Sequence, residues 1–184
     1  MRKILVLVLI GFYVVSCNNG SSFDKEKYLQ EGKQIAQSTG KLLTAKVKTT
    51  IKAQGPFQAI NFCNVNAYPL TDSLSGFYGV DIKRIAVKYR NPENKANEHE
   101  TLIINNYMAQ TQKGEALKPI VEKNDDGVYF YAPIKVKHAC LTCHGAVGSE
   151  IPDTLFNHIK ELYPNDLATA FKEGDLRGIW SIRF

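Results

Sequence analysis

Between Phe23 and Ala53 apolar residues fall at Tyr28, Ile35, Leu42, Leu43, Val47 and Ile51, close to helical spacing and with no proline to interrupt them. Asp24 and Glu26 stand where the first turn of a helix favours negative charge. The pattern predicts one long amphipathic helix with Gly40 as its weak point. Gly55-Pro56 opens a second helix, because proline suits a first helical turn, and Tyr68-Pro69 closes it near Ala67. On that helix Ala59, Ile60 and Ala67 lie three or four positions from Cys63, so the thiol shares the apolar face.

The pattern then changes period. Asp81 to Tyr89, with Ile82, Ile85 and Val87, reads as a strand that Arg90-Asn91-Pro92 ends. Glu98 to Gln110 reads as a helix turning Leu102, Ile103, Tyr107 and Met108 inward. Pro119 to Glu122 and Gly127 to Ile134 form a hairpin around Asn124-Asp125-Asp126-Gly127. Short helices are expected over 152–162 and 165–172, and Ile179 to Phe184 closes the chain as a strand. Helix, strand, helix, hairpin and last strand predict an α+β domain with a small antiparallel sheet flanked by helices.

The first 22 residues follow other rules. Arg2 and Lys3 precede an apolar run from Ile4 to Val15, too short to span a bilayer as a mature helix and fitting a secretory signal over residues 1–16. Val14-Val15-Ser16-Cys17 resembles the lipobox of bacterial lipoproteins, which makes Cys17 the lipidated residue and 17–22 a polar tether. The chain is thus expected to be exported and lipid-anchored to a bacterial membrane, on the periplasmic side or at the cell surface. Residues 23–184 are expected to form one domain, with no repeat or linker to divide them and no room for a separate output module. The net charge of +5 falls to +3 once the segment holding Arg2 and Lys3 is removed, a spread-out balance that points away from nucleic acid.

Cys140-Leu141-Thr142-Cys143-His144 carries the chemistry. Two thiols two residues apart with a histidine directly after them match the attachment site of one covalent c-type haem: the sulfurs bond its vinyl groups and the imidazole of His144 reaches the iron. A redox dithiol would be expected near a βαβ pattern, which the sequence lacks, and a zinc site needs a fourth ligand. With Cys17 lipidated and Cys140 and Cys143 bonded, Cys63 is left over in an oxidising compartment. For the iron's far face the candidates are Met108, His99, His138, His158 and Cys63. Met108 reads as core, His99 and His158 as solvated, and His138 as held too close to the attachment loop. Cys63 is left as either that ligand or an inert core thiol.

Arg90-Asn91-Pro92-Glu93-Asn94, Tyr131-Ala132-Pro133-Ile134, Cys140 to Gly145 and Glu173-Gly174-Asp175-Leu176-Arg177-Gly178 together resemble the Tll-like family of haem c domains. The resemblance runs over most of the chain beyond the leader. It implies a PAS-like fold and a six-coordinate haem, with His144 as proximal and Cys63 as distal iron ligand. Arg90 is expected to act structurally at the Asn91-Pro92 turn, with a haem propionate as its other partner of choice.

A thiolate ligand stabilises ferric over ferrous iron, so ligation and redox state become interdependent. The expected function is therefore a membrane-anchored monohaem c-type cytochrome that senses redox state or a small ligand such as NO or CO and signals to a protein partner. The alternative is a single-haem electron-transfer protein. With both axial positions filled, turnover chemistry is not expected, and the chain is read as no enzyme.

Overall fold

The computed structural model describes residues 23–184; the expected leader, the lipid-bearing Cys17 and the tether lie outside the described residues. Helix α1 spans Lys25–Tyr78, and Asp24 caps it by accepting a hydrogen bond from the Lys27 amide. It is two helices joined at Gly55, whose φ of 82° and ψ of 175° are open to glycine and strained for other residues. The predicted boundary at Gly55-Pro56 is there, whereas Gly40 is no weak point: the helix runs straight through it. Pro69 does not end the second half either. Ala67 belongs to the main core and Leu70 and Leu74 pack against it, so tertiary burial outweighs the one helical hydrogen bond that proline removes.

Four antiparallel strands follow in the spatial order β1-β4-β3-β2: β1 is Asp81–Ile85, β2 Ile120–Asn124, β3 Gly127–Lys135 and β4 Leu176–Arg183. The hairpin forms where predicted, with Asn124 paired to Gly127. The C-terminal strand is central, pairing with β1 on one side and β3 on the other. One sheet face carries Ile82, Ile182 and Phe130 in one row and Arg84, Trp180 and Ala132 in the next. Five of those six, Arg84 excepted, belong to the core that α1 covers. The other face presents Ile85, Ile179 and Tyr131 to helix α2, Glu98–Gln112.

The long helix comes close to the sheet because small residues line its contact. A Cβ placed on Gly32 would sit 2.3 Å from the Phe130 ring and one on Gly40 3.4 Å from the Trp180 indole, while Ala36 between them is buried. In α2 the inward face is Glu100, Ile103, Ile104 and Tyr107; Leu102 and Met108 are 68% and 43% exposed, correcting the prediction that they point inward. An Asn97–Glu100 capping box starts that helix at the predicted Glu98, and Ile104 takes the buried place expected for Leu102. Strand β1 stops at Ile85, short of the predicted Tyr89.

Candidate functional site

Strand β3 hands the chain to a 3-10 turn, His138–Cys140, and at once to a one-turn helix α3, Leu141–His144. The turn is pinned by Val136 donating to the Asp175 carbonyl (2.8 Å) and by the Cys140 amide donating to Lys137 (2.8 Å). Cys140, Cys143 and His144, all half-buried, are thereby presented on consecutive turns. Among the described residues no three or more His, Cys, Asp or Glu side chains gather in a group that could hold a metal ion.

His144 is oriented from behind. Its Nδ1 lies 2.7 Å from the Ala168 carbonyl oxygen, an acceptor, so the ring proton sits on Nδ1 and the Nε2 lone pair is free to bind iron. Burial, then Arg177 and Arg90, hold its pKa well below the usual 6.5, which keeps the ring neutral. Phe171 meets it edge-on, with ring centroids 6.3 Å apart, and Lys88 and Arg177 stack on the Phe171 face at 4.4 and 5.4 Å.

Arg90 ties this backing together. Its Nε and Nη2 donate to the two Asp166 carboxylate oxygens at 3.2 Å each, and Nη2 also reaches the Cys143 carbonyl (2.6 Å) and the Ala168 carbonyl (3.3 Å). One guanidinium thus connects the attachment turn to the segment that fixes the imidazole. Arg90 serves this buried ion pair, with side chains 9% and 0% exposed, and not the Asn91-Pro92 turn. The segment 165–172 is irregular where a helix was expected. Its amides at Leu167, Ala170 and Phe171 donate to Tyr89, Gly145 and His144 carbonyls, bonds that a helix would have kept for itself. Asp166 and Ala168 were missed for that reason; the turn-prone run Pro164-Asn165-Asp166 was the signal against a helix.

Cys63 comes from the second half of α1. Ile60, one turn before it, is buried with Ile151, Leu155, Ile159 and Tyr163, and Cys143 packs against that same cluster. Helix α4, Asp153–Leu162, supplies Leu155 and Ile159 and bridges the two parts. The half-buried Cys63 thiol is pushed above its usual pKa by burial, opposed by Arg84 and Arg90, and Cys143 is pushed up to about 11 by burial with Cys63 adding to the rise. The helix turn that carries Cys63 and the attachment turn thus share one apolar cluster, through Ile60 and Cys143.

The other candidates lie elsewhere. His138 is 88% exposed beside Glu173, His99 pairs with Glu122 at 2.7 Å on the surface, and Met108 is on the open side of α2. His158 is not solvated as expected: its Nε2 lies 2.8 Å from Asn61 Oδ1 and its ring rests on Phe57, so it ties α4 to the Cys63 helix. Two thiols on adjacent turns, an imidazole with a free Nε2 and a third sulfur on the facing helix form a donor set that fits a thioether-bonded haem.

A solved structure, the cyanobacterial haem protein Tll0287, superposes with a TM-score of 0.61 at 23% identity, covering 86% of this chain and 92% of that one, which shows a shared α+β fold. No curated protein matches the chain. The Tll0287-like family matches residues 24–184, nearly all of the described structure, and the chain belongs to that family.

Proposed function

We propose that this protein is a membrane-anchored monohaem c-type cytochrome, with one haem c bonded through Cys140 and Cys143 and held axially by His144 and Cys63. It acts as a redox or small-ligand (NO or CO) sensor. The observation that carries the reading is the pairing of the His144 Nδ1–Ala168 bond, which frees Nε2, with the packing of the Cys63 helix turn against the Cys143 cluster. The likeness to a haem protein supports it.

The haem, when bound, supplies an iron that cycles between two oxidation states. Arg90 and Ala168 hold His144 so that the proximal ligand does not wander. Cys63, as a thiolate, favours the ferric state, and the surrounding apolar residues disfavour its charge once reduction weakens the bond. Release of Cys63 would leave room for a diatomic ligand. With His144 and Cys63 both holding the group, ligand exchange rather than substrate turnover would be its chemistry. Cys17 tethers the domain to a bacterial membrane on the exported side, where a protein partner reads its state.

Optical spectra of the ferric and ferrous protein, with and without CO or NO, test this. A low-spin ferric spectrum that Cys63→Ser alters, with ligand uptake on reduction, is expected. A high-spin ferric spectrum, or one that Cys63→Ser leaves unchanged, overturns thiolate ligation. The second reading, a single-haem electron carrier, is favoured by the rigid hold on His144 through Arg90 and Asp166, and predicts reversible reduction without ligand uptake.

A further inference from the structure

Arg84 is the one charged side chain in the two central rows of the sheet face that α1 covers. The strand register sets it beside Trp180 and Ala132, a row away from Ile82, Ile182 and Phe130. Every neighbour in those rows belongs to the apolar core. Arg90, by contrast, has Asp166, and Arg177 donates to the Lys88 carbonyl at 2.9 Å and stacks on Phe171. Arg84 has no carboxylate at ion-pairing distance among the described residues. A guanidinium in such a place is costly unless an anion meets it.

Strand β1, which carries Arg84, packs against α1, the helix that supplies Cys63. Desolvation lowers the Arg84 pKa, and the groups that pull it back up are Cys63 first, then Tyr68 and Tyr163. The same Tyr163 lies in the cluster that joins the Cys63 helix to Cys143. Arg84 is nonetheless only half-buried, so its guanidinium is not sealed off from a group that joins the fold later.

We propose that Arg84 is the internal counter-ion of the loaded haem centre, pairing with an anionic group that arrives only with the cofactor. Two groups have that chemistry, a haem propionate carboxylate and the Cys63 thiolate as an iron ligand. A planar guanidinium suits either, and meets a carboxylate with two parallel hydrogen bonds. The inference rests on the proposal that the chain carries haem, and its propionate form does not need Cys63 to be a ligand.

The test is the midpoint potential of the haem-loaded protein and its Arg84→Gln, Arg84→Lys, Cys63→Ser and Cys63→Ser/Arg84→Gln variants, with optical spectra as a check on ligation. A cation beside the centre disfavours the more positive ferric state. Arg84→Gln is therefore expected to lower the equilibrium constant for reduction by about tenfold, about 59 mV for one electron, with Arg84→Lys restoring most of it. If the shift persists in the Cys63→Ser background the anion is a propionate, and if it vanishes there the anion is the thiolate. An unchanged potential in Arg84→Gln overturns the proposal. So does an equal fall in both Arg84 variants together with an altered low-spin spectrum, which marks a purely structural residue. A Cys63→Ser spectrum like the wild type sinks thiolate ligation alone, and Arg84→Gln still decides the counter-ion.

Discussion

Arg90 and Asp166 form a two-pronged ion pair, 3.2 Å on each side, whose side chains are almost wholly withdrawn from water. The pair joins the end of the first strand region to the segment that backs His144. Asp166 also accepts from the Ala168 amide (2.8 Å), so one carboxylate positions both the cation and the carbonyl that the imidazole needs.

Removing Asp166 leaves Arg90 buried without a partner. Asp166→Ala is expected to cost about 3–5 kcal/mol, and Arg90→Met/Asp166→Leu markedly less, because the second variant strands no charge. Urea unfolding of the two variants beside wild type checks the order; equal losses in both contradict it.

The close approach of the long helix to the sheet predicts opposite outcomes at two glycines. Gly32→Ala drives a methyl into the Phe130 ring and is expected to destabilise by about 1–3 kcal/mol. At Gly40 the same change meets Trp180 at ordinary contact distance and adds helix propensity, so it is expected to be neutral or to stabilise by up to about 1 kcal/mol. Thermal unfolding of both single variants decides it.

Tyr107 is fully buried, donates to the Lys118 carbonyl at 2.7 Å and has its pKa raised by burial, with Glu122 adding to the rise. Above the ordinary tyrosine pKa of about 10 the unfolded chain releases a proton that the folded chain keeps, so stability falls as pH rises through that range. Tyr107→Phe is expected to cost about 1 kcal/mol at neutral pH and to flatten the alkaline loss. Denaturant midpoints between pH 8 and 11 measure the slope, and an unchanged slope would count against Tyr107 as its source.

Cys17→Ser is expected to move the protein from the membrane fraction to the soluble exported fraction while leaving its haem spectrum intact, because the proposed lipid site lies outside the domain proposed to hold haem. Fractionation of expressing cells with a spectrum of each fraction reads both at once. Retention of the variant on the membrane would argue for an anchor other than lipid.

Much of this architecture was legible in local pattern. The Cys140–His144 motif, the hairpin around Asp125 and Asp126, the break at Gly55 and the apolar company of Cys63 all depend on residues within a turn or two of one another, and local backbone chemistry governs them. Tertiary structure alone decided the rest. It placed the last strand at the centre of the sheet, ran the long helix through Gly40, which meets Trp180, and past exposed Pro69, whose neighbours Ala67 and Leu70 meet the main core, and left Leu102 of α2 facing water. It also unwound 165–172 into the clamp behind His144 and left Arg84 on an apolar face with no carboxylate. These outcomes depend on partners far apart in the chain, 76 residues in the case of Arg90 and Asp166, where the energy of burying a charge or an amide overrides the preference of any single stretch of chain.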